Sequence, residues 1–252
     1  MSPISAQQLR LLDGFEDLAP WQAGSSDGVK ASIRAVAGVE GQALCLDFDF
    51  SGVAGYATAR RALPIDFPSN YEFSLYVRGD APVNNLEFKL IDASGDNVWW
   101  ANRHDFAFPR EWRQVKFKKR HIEFAWGPTH DRTLKRSAAL ELVVSAGGGG
   151  GRGSVCFDRL SFHELPPLTT SYPAPVLRAT SAQTGAEAPF ALDGGLSTAW
   201  KSDPAAGAEQ TLTLDFQQPR EFGGVVLHWL ADAFASRYDV EFSDDGSHWR
   251  TV

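Results

Sequence analysis

Sulfur is scarce in this chain: 252 residues carry two cysteines and one methionine. The two thiols, Cys45 and Cys156, are too few for a disulfide framework or a four-thiolate zinc site, though they suffice for a single bridge. No apolar run approaches the roughly 20 residues that span a bilayer, so no membrane-spanning helix is expected. Residues 1–10 lack the basic-then-apolar order of a secretory signal, which leaves the compartment open. Cationic excess is missing too. Lys and Arg number 24 against 31 Asp and Glu, a net charge of −7. Polyanion binding depends on cations that neutralise phosphates, so no nucleic-acid partner is expected. The chain also lacks a Gly-x-Ser-x-Gly elbow, a His-Glu-x-x-His helix and a Cys-x-x-Cys pair, and its histidines, His104, His121, His130, His163, His228 and His248, are scattered. Nucleophile and metal-hydrolase chemistry therefore lose support, and the chain reads as non-enzymatic.

What is present points to strands. Seventeen Phe, eight Trp, 23 Gly and 14 Pro suit pleated strands and turns better than helices, so the expected fold class is all-β. At roughly 150 residues per domain, the length allows one large domain or two modest ones. Leu165 to Pro175 holds four prolines in eleven residues, and proline can neither donate to a ladder nor continue a helix. Residues 166–175 are read as a stiff interdomain linker between domains at 1–165 and 176–252. The cut also separates charge: residues 1–165 hold 19 cations against 20 anions, and residues 166–252 hold 5 against 11.

In the first domain, apolar or alternating runs are punctuated by Gly, Pro, Asn and Asp at sandwich-like intervals. Ala43 to Phe50 puts Leu44, Leu46, Phe48 and Phe50 on one face and Cys45, Asp47 and Asp49 on the other, the period of a half-buried strand. Similar runs lie at Tyr71–Arg78, Leu86–Ile91, Val98–Ala101, Arg113–Lys118, His121–Trp126, Leu140–Ser145 and Ser154–Phe162. Eight or nine such strands fit a jelly roll. The second domain predicts strands at Gln210–Phe216, Gly224–Trp229 and Tyr238–Ser243, with Asp244, Asp245 and Gly246 as a hairpin turn. A strand-turn-strand that stops at Thr251 and Val252 leaves an edge without a partner, so this second antiparallel sandwich is expected to be incomplete.

The second domain carries, in order, Ala191, Leu192, Asp193, Gly194, Gly195, Leu196, Ser197, Thr198, Ala199 and Trp200, then Leu212–Phe216, Val225–Trp229, and Tyr238, Val240, Ser243, Asp244, Asp245, Gly246 and Trp249. This series resembles roughly the first half of the discoidin family, the coagulation factor V/VIII type C domain that includes family 32 carbohydrate-binding modules. The first domain opens on Gly14, Phe15 and Glu16 and closes on Cys156, Phe157, Asp158, Arg159, Leu160, Ser161 and Phe162. Those segments resemble the terminal strands of jelly-roll carbohydrate-binding modules found beside glycoside hydrolases. Together the resemblances imply the N-terminal part of a bacterial glycoside hydrolase, with non-catalytic modules that bind polysaccharide, further domains attached beyond Val252, and a place outside the cytoplasm.

The discoidin resemblance implies a structural calcium ion held by the Asp193 carboxylate, the Thr198 hydroxyl and the Leu196 carbonyl, oxygen donors of the kind a hard cation takes. An Asx-type turn at Asp193 without metal is the competing reading. The family's C-terminal acidic ligand would lie beyond Val252. The jelly-roll resemblance implies a second calcium between the terminal strands, with Glu16 and Asp158 as carboxylates; Asp158 breaks the apolar order of Phe157, Leu160 and Phe162, as a charge at a bulge also would. By the same matches Trp200, Trp229 and Trp249 are structural, and loop placement offers Asp203, Asp232 and Arg237 as ligand contacts.

Sugars are recognised by flat aromatic faces flanked by polar groups. Trp99 and Trp100 stand beside Asn102, Arg103 and His104, and Trp126 precedes Gly127 and Pro128. Adjacent strand residues point to opposite faces, so one of Trp99 and Trp100 faces out, over a binding surface or beneath a loop. Val98 shares its face with Trp100, which makes Trp100 the expected core residue and Trp99 the expected platform. The carbohydrate-binding set is thus Trp99, Trp100, Arg103 and Trp126.

Three other features compete for a role. Arg110, Arg113, Lys116, Lys118, Lys119 and Arg120 against Glu111 make residues 110–120 the only basic stretch. It reads as an oligonucleotide face, an acidic-polysaccharide face, or a lysine-guarded edge strand. Gly147–Gly151 lacks the Gly-Lys-Ser/Thr ending of a phosphate loop and reads as a hairpin loop. Glu87, Glu123 and Glu141 are the candidates for a glycosidase pair, which needs carboxyls ~5–5.5 or ~6.5–9.5 Å apart, although all three also read as solvent-side residues. A structural spacer or docking module with no sugar site is the alternative to glycan binding.

Overall fold

The computed structural model describes residues 9–169, 171–231 and 233–251, so the candidate Asp232 lies outside the described residues. The chain divides into two compact units, residues 1–168 and 169–252.

The first unit contains twelve strands among its described residues: β1 Leu9–Asp13, β2 Trp21–Ser25, β3 Lys30–Ala37, β4 Gln42–Asp49, β5 Tyr56–Asp66, β6 Tyr71–Asp80, β7 Asn84–Ile91, β8 Val98–Phe106, β9 Arg113–Lys118, β10 Glu123–Trp126, β11 Arg136–Ser145 and β12 Arg152–Glu164. They form two six-stranded antiparallel sheets. The first runs β3-β4-β12-β6-β9, with β1 also on β12; the second runs β10-β8-β7-β11-β5-β2. Strand β12 organises the first sheet. Its N-terminal half pairs with β4, from Arg152 opposite Asp49 to Phe157 opposite Leu44, and its C-terminal half with β1, while β6 flanks both. Cys45 and Cys156 face each other across β4 and β12 and are disulfide-bonded.

Alternation explains the sandwich. Leu44, Leu46 and Phe48 of β4, Phe73, Leu75 and Val77 of β6, Leu86, Phe88 and Leu90 of β7 and Leu140, Leu142 and Val144 of β11 turn inward and bury one another. Tyr71, Phe73, Phe88, Phe117 and Phe162 form its aromatic centre, with Phe88 and Phe117 stacked at 4.8 Å. Rings in this arrangement contribute roughly 0.5–1.5 kcal/mol each beyond burial.

The second unit contains β13 Val176–Ala179 paired with β14 Leu212–Asp215, and β15 Glu241–Phe242 paired with β16 Arg250–Thr251. The expected hairpin turn at Asp244–Gly246 joins β15 and β16. The expected strand at Gly224–Trp229 is absent: those residues are irregular and exposed.

Candidate functional site

The outer face of the second sheet in the first unit carries a transverse row that crosses all six strands. Gln22 lies opposite Arg60, Arg60 opposite Glu141, Glu141 opposite Lys89, Lys89 opposite Trp100, and Trp100 opposite Glu123. Two residues along the strands, a second row sets Gly24 beside Thr58, Val143 and Glu87. Strands stand ~4.8 Å apart, so the first row measures roughly 24 Å across. Above these rows lies a cleft of about 710 Å³, flanked by Trp126 and Tyr56. A second hollow of about 440 Å³ shares Gln22, Arg60 and Gly95 with it and extends it past Asp92 and Ser94.

The floor is charged yet balanced. Lys89 and Glu87 are 7% and 5% exposed and pair at 2.8 Å; Ser145 Oγ donates to the other Glu87 oxygen. Arg60 donates to Glu141 at 3.0 Å. Buried carboxylates and ammonium groups of this kind persist only when paired and hydrogen-bonded. Three rings surround the Lys89 ammonium, with Trp126 at 5.2 Å, Tyr56 at 5.3 Å and Trp100 at 5.8 Å. Each cation–π contact contributes roughly 0.5–2 kcal/mol, and together they fix the ring orientations. Trp100 meets Trp126 edge-on at 5.5 Å, and Trp126 remains 47% exposed. Thr58 Oγ1, in the cleft wall, is buried without a hydrogen-bond partner.

The expected orientations of the adjacent tryptophans are reversed. Trp99 sits opposite Leu90, on the inward face; it is 5% exposed, contacts Phe124 edge-on at 5.5 Å, and donates its indole N–H to the Arg132 carbonyl at 2.7 Å. Trp100 faces the cleft. Val98 does not mark the core face, because it belongs to a separate apolar cluster with Ile91 and Ala139, outside the main core. Arg103 is likewise corrected. It shares the inward parity of Trp99, and its guanidinium leaves the cleft to donate to the Lys116 carbonyl of the opposite sheet at 2.7 Å, above the Phe117 ring at 5.0 Å. Sequence reasoning missed Lys89, Tyr56, Arg60 and Thr58. Glu87 and Glu141, read as members of a carboxylate pair, are each committed to a cation, and Glu123 is exposed on an edge strand.

Glu16 and Asp158 come together around the tight loop at residues 38–42. Asp158 is fully enclosed at the β12 bulge, next to Arg159 with φ 51°. It accepts from the backbone N–H groups of Val39 at 2.7 Å, Glu40 at 3.3 Å and Arg159 at 2.7 Å. Glu16 accepts from Gln42 N–H at 3.1 and 3.2 Å. A methyl group on Gly41 would lie 2.0 Å from a Glu16 oxygen and one on Gly38 2.5 Å from an Asp158 oxygen, so glycine is what lets the loop close on both carboxylates. Burial first, and the Glu16 charge as a lesser cause, push the Asp158 carboxyl above its ordinary value. Among the described residues no cation pairs with either group. Carboxylate oxygens are the donors a hard cation takes, and no third acidic, His or Cys side chain joins these two among the described residues.

In the second unit, Asp193 accepts from Gly195 N–H at 2.8 Å and Thr198 Oγ at 2.9 Å, the Asx-turn arrangement. Those bonds, the backbone one first, hold its carboxyl below the ordinary value. The Leu196 side chain is 93% exposed. Trp200 donates to the Ser181 carbonyl at 2.9 Å, as a packing residue does, whereas Trp229 and Trp249 are 48% and 46% exposed.

Residues 176–252 match the family model of the F5/8 type C domain. No curated protein matches the chain. Among solved structures, the chain is similar to the family 11 carbohydrate-binding module from Clostridium thermocellum in complex with a β-1,3-1,4-mixed-linked tetrasaccharide, at 18% identity and TM-score 0.53, over 63% of this chain and 96% of that one. A structure of the same family's module from the cellulosomal cellulase Lic26A-Cel5E of that organism matches at 17% identity and TM-score 0.53, over 66% and 100%. The chain thus joins a jelly-roll sandwich with the fold of carbohydrate-binding modules to a segment that matches the F5/8 type C family model.

Proposed function

We propose that the first unit is a non-catalytic module that binds the interior of a glycan chain in the cleft over the second sheet. The observation that carries this reading is the cleft floor, charge-balanced and buried at Lys89 and Glu87, which ends at Trp100 and the exposed Trp126. Indole faces suit the C–H side of a pyranose, and the Arg60 and Glu141 pair offers fixed donors and acceptors to hydroxyls. Continuity with the neighbouring hollow suits a chain that runs through rather than a chain end. The likeness to modules of known glycan-binding families supports the same reading. One observation favours a spacer instead: the Lys89 ammonium already stands against all three rings.

The Glu16 and Asp158 pair is proposed to hold a structural calcium ion that pins the residue 38–42 loop to β12. At Asp193 the turn is complete without one, and a calcium there rests on the family resemblance alone. By the same resemblance the chain serves an attached glycosidase outside the cytoplasm, holding it near its polysaccharide.

Titration of the 252-residue chain with mixed-linked β-glucan and a panel of other polysaccharides, followed by tryptophan fluorescence, tests the cleft. A saturable change is expected, with affinity at least about ten-fold weaker in Trp126→Ala, the loss typical of removing a buried aromatic contact. A folded protein that responds to no glycan would leave the spacer reading standing.

A further inference from the structure

The basic stretch of residues 110–120 is unused by the cleft, which lies on the other sheet. Strand β9 is an edge strand, and its inward residues Val115 and Phe117 are 4% and 2% exposed. Outward, Lys116 and Lys118 both reach one carboxylate, Glu72, at 2.9 and 3.8 Å. Glu72 is itself 5% exposed. Lys119 donates to the Ser69 carbonyl, a neutral partner, at 2.7 Å.

An edge guarded by lysines explains Lys116 and Lys118 alone. Two further groups arrive from other elements. Arg103 crosses from β8 to bond the Lys116 carbonyl. His121, at the end of the 3-10 turn Lys119–His121, accepts the Lys118 backbone N–H on Nδ1 at 3.2 Å, which leaves its other ring nitrogen as a donor. Burial first, then the positive charges of Arg120, Arg103 and Lys118, hold His121 below its ordinary value.

We infer that this edge is a second binding site, separate from the cleft, that takes the repeated carboxylate or sulfate groups of an acidic polysaccharide. A chain of repeated anions matches the exposed cationic side chains of Lys116, Lys119 and Arg120 along this edge. A nucleic acid is the poorer match, because single strands need exposed rings for their bases. Here Phe117 is buried and Trp112 is covered by Arg78 at 4.8 Å.

The test uses the full chain with polygalacturonate, dextran sulfate, neutral mixed-linked β-glucan and oligothymidylate, by calorimetry at low and moderate salt. Binding to a polyanionic glycan is expected, weaker as salt rises because counter-ions are released. Lys116→Gln/Lys119→Gln/Arg120→Gln, which retains Lys118 as the partner of Glu72, is expected to weaken it at least about ten-fold and flatten the salt dependence. The charge-conserving Lys116→Arg/Lys119→Arg/Arg120→Lys should retain it. Saturating neutral glucan should not displace the polyanion, so failure of the cleft and failure of this edge are read separately. The inference falls if neither acidic glycan binds at low salt, if the glutamine variant binds as the parent does, or if oligothymidylate binds at least as tightly.

Discussion

In the first unit Phe73, Phe88 and Phe157 are fully enclosed, whereas in the second Leu196 is 93% exposed, Val226 78% and Phe234 66%. Among the described residues of the second unit, Ala186 and Ala188 are the only buried apolar ones. Both units use alternating strands and Gly-rich turns. The difference is that the first has two sheets whose apolar faces cover each other, while the second places its apolar residues beside two short strand pairs. Periodicity marks which residues want burial, and only a facing layer satisfies it.

Truncation in the two units should break the symmetry of that grammar most visibly. Phe88→Ala is expected to destabilise the first unit by about 3–5 kcal/mol, and Val226→Ala to change stability by no more than about 0.5 kcal/mol, both read by urea denaturation. Equal costs would mean that the second unit has a core after all. Next in size is the crosslink. Cys45→Ala/Cys156→Ala opens a loop with a sequence separation of 111 residues, and a loss of about 2–4 kcal/mol is expected for the first unit by the same measurement, with no change in the proteolytic susceptibility of the second.

A finer contrast lies between neighbours. Trp99→Ala should lower the unfolding free energy by about 3–5 kcal/mol, because its ring packs against Phe124 and its indole N–H bonds the Arg132 carbonyl. Trp100→Ala should cost less than half as much and show instead as weakened glycan binding in the fluorescence titration. The smallest effect concerns pH. Since the Asp158 carboxyl is raised in the folded state, the folded chain binds the extra proton, and stability falls as pH climbs from ~3.9 through the raised value. Asp158→Asn should flatten that part of the stability curve in calcium-free buffer. In the parent, millimolar calcium should raise the melting temperature at pH 7 and not at pH 4; an identical response in the asparagine variant would remove Asp158 from the ion's ligands.

Much of the first unit was legible because eight of its strands carry apolar alternation or apolar runs, as in Ala43–Phe50 and Ser154–Phe162. Strands β1, β2, β3 and β5 were not. Strand β5 has Arg60 and Arg61 at its centre, and only the fold reveals that Arg61 is paired with Asp13, which also accepts the Trp21 indole N–H at 2.7 Å. Strand β3 is an edge whose side chains are mostly exposed, so burial imposed no pattern. At the site, the opposition of Trp99 and Trp100 was readable from parity, but their sense depended on Val98, which packs in a cluster outside the core. Lys89 looked like an ordinary outward lysine on an alternating strand. That it would be nearly buried depended on Tyr56 and Trp126, contributed by strands on either side.

The pairing of β1 with β12 sets Leu9 opposite His163, so the polypeptide enters and leaves the first unit at one corner. Tension pulled along the chain would load these antiparallel rungs one at a time, as a zipper opens, rather than all at once in shear. The first element loaded is therefore a five-residue strand, and the Cys45–Cys156 crosslink lies further along β12. The cleft, on the other sheet, stands off this path of force.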